Sequence, residues 1–331
     1  MKILSLFILF DTDIKFNKGL GGLVNSMKFK DIESHIVCKA APVPSELTGR
    51  VNSGFKNVEI HLEEPHIRDT IVTSIVRRDV LKSGLNVVGV HAPLKHGKLI
   101  NTLIPEVCID SGIRGEVSNT LWFAQQLAED MGHKVYVVLH VLSSVELLKQ
   151  EGRIWDNILR FFRKSIYEYP DVVYSFENIT PICEVGTFVS GACLENVSIC
   201  KALREELGQS WFFTTLDTCH ALTTTRMYDL LSEYDNDIVC PKFADFADSN
   251  RKYINNIHLS YVEQLGFAPG THGIAHDLSD RVSREHFNMC MKYITSLSNG
   301  TPYITLEVRE QDYSNPQSSI MQRQNIVQYF K

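Results

Sequence analysis

The chain has 331 residues, of which 44% are hydrophobic, 22% charged and 10% aromatic. A chain of this length and composition can bury a large core without staples, which excludes disordered, collagen-like and low-complexity classes. The net charge of −6 and a pI near 6.1 argue against a broad basic surface for nucleic acid.

Eight cysteines, at 38, 108, 183, 193, 200, 219, 240 and 290, form no Cys-x-x-Cys pair, and reduced thiols in a cytoplasmic protein are expected. The largely apolar run Ile3–Phe10 is followed by Asp11 and Asp13 rather than by a small-residue cleavage site. No apolar run approaches the roughly 18–20 residues of a membrane span, so no membrane association is expected. Residues 1–33 fit no repeating pattern and are read as an N-terminal extension, with one barrel domain over 34–331.

From there, short β-branched runs alternate with helical stretches. The strands are expected at 35–40, 57–62, 86–91, 134–140, 171–177, 211–217, 253–258 and 302–307. Helices are expected at 117–131, 196–207, 284–297 and 318–330, from apolar residues recurring on one face. Ser118 or Asn119 is read as the cap of the first, while Gly208 and Asn299-Gly300 mark two helix ends. Eight strands alternating with helices predict an α/β fold, a closed (β/α)8 TIM barrel in a single domain.

In such a barrel the strand C-termini form the active face. Here they end in His91, His140, Glu177, Asp217, His258 and Glu307, one from each of six consecutive strands. Alternation places Ser175, Thr215, Asn256 and Thr305 on the same inner side. Three buried carboxylates would repel one another and three buried imidazoles would be costly to desolvate, whereas a divalent cation relieves both. His220 follows Asp217 by three residues, where it can face the same cavity. His272 and His276 lie in a Gly-rich loop, and His276 is expected to be solvent-exposed.

These strand ends resemble the xylose-isomerase-like TIM barrels, and specifically endonuclease IV, the family 2 apurinic endonucleases. The likeness is carried by His91-Ala92-Pro93, Leu139-His140, Glu177-Asn178, Leu216-Asp217-Thr218-Cys219-His220-Ala221, His258-Leu259 and Leu306-Glu307. The resemblance implies two or three divalent ions, zinc first, with manganese or iron also suited. His91, His140 and Glu177 would hold one. Glu177, Asp217, His258 and Glu307 would hold a second, with Glu177 as the bridge, and His220 and His272 would share a third. Glu177, His220 and Glu307 would be the catalytic residues. Gly270 stands where the family places a ligand aspartate, which puts the third ion in question or calls for a substitute such as Asp277.

Two functions follow from the resemblance. The first is a metal-dependent phosphoester hydrolase. The alternative is a divalent-metal sugar or sugar-phosphate isomerase or epimerase, suggested by Val58-Glu59-Ile60, in which Glu177 and Glu307 would trade a proton. A small phosphorylated or sugar substrate is expected rather than duplex DNA. Residues 178–182 carry no charge and His61–Pro65 is acidic, although Lys95, His96 and Lys98 are basic.

Overall fold

The computed structural model describes residues 31–93, 95–96, 99–100, 111–140, 145–150, 152–179, 183–184, 187–188, 195–232, 242–263, 273–297 and 302–331. Eight strands form the barrel: β1 (Ile36–Ala40), β2 (Asn57–His61), β3 (Asn86–His91), β4 (Val135–His140), β5 (Val172–Glu177), β6 (Phe212–Asp217), β7 (Ile254–Leu259) and β8 (Tyr303–Leu306). Each pairs in parallel with its sequence neighbours. β1 pairs with both β2 and β8, so the sheet closes on itself. The expected single-domain (β/α)8 architecture is therefore the observed one. Closure leaves the barrel sheet itself without an open edge.

The eight longest of the described helices lie outside: α1 (Pro44–Asn52), α2 (Thr70–Ser83), α3 (Ser111–Met131), α4 (Gly152–Glu168), α5 (Glu195–Leu207), α6 (Thr218–Ser232), α7 (Arg281–Thr295) and α8 (Gln317–Phe330). Sequence periodicity drives their packing. In α4, Trp155, Ile158 and Phe162 recur at helical spacing and are buried. The Phe162 ring meets Tyr174, Phe176 and Phe212 edge-on at 5.3–5.9 Å, which seats α4 against β5 and β6. α5 stops at Gly208, whose φ of 63° is a left-handed conformation that most side chains resist.

α3 begins before the expected start, at Ser111 rather than near 117. Asn119 is therefore an interior helix residue and not a cap, and its amide donates to the Ile67 carbonyl at 2.8 Å. The stop expected at Asn299-Gly300 lies outside the described residues. Glu310 does cap α8: its carboxylate accepts from the backbone N–H groups of Ser318 and Ser319, each at 2.8 Å. Buried Arg50 of α1 reaches the same carboxylate at 3.3 Å.

Inside the barrel the composition changes with height. The lower interior is filled by Val37, Val88, Tyr136 and Val138, with Val173 and Tyr303 packed against them. Gly89 makes room for the Tyr136 ring, since a Cβ there would come within 2.2 Å of it. Above this plug the interior turns polar. Ser175 Oγ lies 2.7 Å from Thr215 Oγ1, and Thr305 Oγ1 donates to Asn256 Oδ1 at 3.0 Å. These are the four residues that alternation placed inside. Among the described residues no helix is long and apolar enough to cross a membrane, and Cys38, Cys200, Cys219 and Cys290 are free and buried.

Candidate metal centre

The six strand-end residues converge. Glu177, Asp217, His258 and Glu307 each offer a ligand atom within 4.8 Å of the others, as do His91, Glu177 and His258. Glu177 sits at the centre, and its two oxygens face different imidazoles. His91 Nε2 and His140 Nε2 lie 3.3 and 3.2 Å from Oε2, whereas His258 Nδ1 and His220 Nδ1 each lie 3.4 Å from Oε1.

Hydrogen bonds behind the cluster fix which nitrogen each ring presents. His91 Nδ1 bonds the Ala92 carbonyl at 2.8 Å, so its Nε2 carries the lone pair that faces Glu177. His258 is reversed. Its Nε2 donates to Glu59 Oε2 at 3.0 Å, and Nδ1 faces Glu177 and Glu307. Asp217 is set by the start of α6: as the residue before the helix it accepts from the His220 backbone N–H at 2.7 Å. Asn178 braces the same corner, exchanging two bonds with the Asp217 backbone at 2.8 and 3.0 Å and accepting from His220 Nδ1 at 2.8 Å. The His220 nitrogen nearest Glu177 and Asp217 is thus the protonated one.

The arrangement asks for a cation. Both Glu177 oxygens, His258 Nδ1 and Glu307 Oε2 are buried without a hydrogen-bond partner. His258 Nδ1 and Glu307 Oε2 approach to 2.5 Å yet are not aligned as donor and acceptor. Buried polar atoms are normally satisfied, and several left over around one point is what a ligand shell looks like before loading. Burial alone would raise the Glu177 carboxyl, but His258 and His140 outweigh it and hold the group well below the usual carboxylate range. Burial would lower His258, but Glu59, Glu177 and Glu307 push it well above an ordinary histidine. A divalent ion at this point would offset the same carboxylates and favour the neutral imidazole that ligation needs. The residues fit such an ion.

Three groups in the mouth lie beyond the strand-end pattern. Lys39 of β1 donates to Glu307 Oε1 at 2.6 Å and lies 3.9 Å from Glu59 Oε1. Its ammonium is held above the ordinary lysine range, because Glu307, Glu59 and Glu177 outweigh the opposing effect of burial. Glu59 of β2 is fully buried, and its Oε2 accepts from Tyr136 Oη at 3.0 Å, Asn256 Nδ2 at 3.1 Å and His258 Nε2. His61 ends β2 with its ring 5.0 Å from His91, and burial, then Lys39 and His91, hold it well below the usual histidine value. Each was visible as a lone charged or titratable residue inside an apolar strand.

Other expectations are corrected. His276 is not exposed but buried, stacked on His286, accepting at Nδ1 from Gln322 and bonding His286 through Nε2 at 2.9 Å. The segment folds back under α7 and α8, and so removes His276 from solvent and from the cluster alike. Asp277, the substitute ligand considered above, is exposed, and its Oδ1 accepts from Ser279 N and Oγ at 2.8 and 2.7 Å. It stabilises a turn. His272 lies outside the described residues, as do Lys98 and residues 180–182.

No protein-family model and no curated protein sequence matches the chain. Solved structures do. A xylose isomerase domain protein from Planctomyces limnophilus superposes with a TM-score of 0.52 at 10% identity, covering 89% of this chain and 96% of that one. A D-tagatose 3-epimerase-like protein gives 0.52 at 15% identity, covering 88% and 96%. An L-ribulose 3-epimerase gives 0.52 at 14% identity, covering 89% and 94%. At these identities the likeness is one of fold: the chain shares the closed (β/α)8 barrel of these proteins.

Proposed function

We propose that the protein is a metal-dependent hydrolase of a phosphoester, with its ions held at the C-terminal mouth of the barrel. The observation that carries this reading is the division of Glu177. One oxygen faces His91 and His140, the other faces His258 and His220. A carboxylate flanked in this way suits a bridge between two cations about 3.5–4 Å apart, the arrangement that clamps an in-line displacement. Bound divalent ions would polarise a phosphoryl oxygen and lower the pKa of the attacking water.

In this reading His91, His140 and Glu177 hold one ion, and Glu177, Asp217, His258 and Glu307 hold the other. His220, fixed by Asn178 and partly exposed, faces the substrate. A small phosphorylated metabolite is the substrate class.

A second reading, a sugar isomerase or epimerase with one ion, is favoured by the four-ligand group Glu177, Asp217, His258 and Glu307 and by the names of two structural neighbours. It requires two glutamates that can each take up a proton from carbon. Here Glu307 Oε1 is taken by Lys39, and Glu177 has His91 and His140 on its Oε2 side and His258 and His220 on its Oε1 side, a setting that suits two ion positions better than two proton carriers. That supports hydrolysis over proton shuttling.

Elemental analysis of protein purified without added metal tests the choice, together with turnover of model phosphodiesters and of a panel of ketose phosphates. Two ions per chain and phosphoester cleavage are expected. One ion with isomerisation and no cleavage would overturn the proposal.

A further inference from the structure

Lys39 has no part in the ligand set, yet it stands inside the mouth. Its place follows from the β1–β2 register, in which Lys39 is opposite Glu59, so its side chain projects into the barrel between β2 and β8. An ammonium has three donors. Glu307 Oε1, at 2.6 Å, is the one acceptor within hydrogen-bond distance among the described residues, since Glu59 Oε1 is 3.9 Å away.

Exposure separates the members of the cluster. The side chains of Glu177, Asp217, His91, His140 and His258 are at most 2% exposed, whereas Lys39, His220 and Glu307 are 11%, 14% and 18% exposed. Solvent therefore reaches the centre past these three residues. A lysine needed only to balance buried carboxylates would gain from complete burial among acceptors. This one is incompletely buried and has a single acceptor for its three donors among the described residues. Its anchor also leaves the ligand set intact, because Glu307 is bound through Oε1 and its Oε2 remains turned toward His258.

We propose that Lys39 is a substrate-contact residue whose ammonium, held by Glu307, donates to a non-bridging oxygen of a phosphate group bound at the mouth. The inference rests on the phosphoester reading above and adds the group that grips the anion from the β1 side. It also gives a reason for a charged residue in a strand that otherwise reads Ile36-Val37-Cys38 and Ala40. A positioned ammonium of this kind acts as a point-charge binder of phosphate.

The test is calorimetric titration of the metal-loaded protein with inorganic phosphate, comparing wild type with K39M, K39Q and K39R. Metal content and melting temperature are measured on every variant. K39M and K39Q should retain their metal and weaken phosphate binding by about 10- to 100-fold, the loss of one hydrogen bond to a charged group. K39R, which keeps the charge, should recover most of the affinity. If one neutral variant fails to fold, the other carries the comparison.

Unchanged phosphate affinity in a folded, metal-loaded neutral variant would overturn the inference, as would wild-type protein that binds no phosphate at millimolar concentration. The two proposals fail separately. Lys39-dependent phosphate binding without phosphoester cleavage keeps this inference and sinks the hydrolase. Cleavage with KM and kcat indifferent to K39M does the reverse.

Discussion

Glu59 is the most informative residue to perturb, because it touches the candidate centre only through another side chain. Its Oε2 receives His258 Nε2 at 3.0 Å, Tyr136 Oη at 3.0 Å and Asn256 Nδ2 at 3.1 Å. Replacement by leucine would leave His258 Nε2 and Asn256 Nδ2 without this acceptor at about 1–3 kcal/mol each, whereas Tyr136 Oη keeps Thr305 Oγ1 at 3.2 Å. The sum is a large part of the stability of an ordinary domain, roughly 5–15 kcal/mol. Glu59→Gln is the better probe. Its amide oxygen can take the place of Oε2 and keep the three donors, but the negative charge behind His258 is gone and an NH2 group faces Lys39. Loss of the carboxylate behind a ligand histidine lowers metal affinity by about 10- to 100-fold, or roughly 1.4–2.7 kcal/mol. Competition against a chromophoric chelator measures that affinity, and nitrogen NMR of the His258 ring reports whether Nε2 keeps its proton. Affinity within about twofold of wild type, with the ring tautomer unchanged, would refute the claim that Glu59 sets His258 as a ligand.

Glu177→Gln should reduce bound metal at both positions and abolish turnover, because a neutral amide cannot balance two cations, whereas His91→Ala should leave one ion per chain; metal analysis separates these outcomes. The buried His276–His286 pair predicts acid sensitivity independent of metal. Burial, then Arg226, lowers His286 from 6.5 to about 4, so between those values the unfolded chain binds more protons and stability falls as pH drops. At pH 5 the His286 share of the loss is about 2 kcal/mol relative to pH 7; denaturant titrations of metal-free protein should show a pH-dependent loss smaller by about that amount in His286→Gln than in wild type, and equal pH slopes in both would contradict it.

Much of this was legible in the sequence for a simple reason. Six strands end in a ligand-type residue, and a strand end is marked both by the close of a β-branched run and by the turn that follows. Asp217 and His220 were readable as a unit because helix capping joins them: the aspartate that starts α6 holds the backbone of the residue three further on. The contacts of Lys39 and Glu59 were hidden by their context. Each residue is a single charge between apolar neighbours, and nothing in one strand shows that the adjacent strand supplies its counter-ion. The Lys39–Glu307 pair spans the seam where β1 meets β8, nearly the full length of the chain. His276 was misread because its burial depends on α7 and α8 closing over it, through Gln322 and His286.

Strand parity hides the rest. Residues three apart in a regular strand point to opposite faces, yet Val88 packs in the lower interior while His91 reaches Glu177 in the upper one. The register explains it: Val58 is opposite Val87 but Glu59 is opposite Gly89, so β3 carries one extra residue. β7 repeats the device. Thr214 pairs with Ile254 and Thr215 with Asn256, and both Asn255, which accepts from Ser175 Oγ at 2.7 Å, and His258 face inward. Bulges of this kind occur beside active sites, where they re-aim a side chain. Here the two irregular strands are the ones that deliver His91 and His258, the imidazoles that share a candidate ligand group with Glu177. In β3 the extra residue lets Val88 pack the barrel floor while His91 serves the mouth. A regular β3 could satisfy one of those demands but not both, so the shift in register links the packed plug to the polar centre above it.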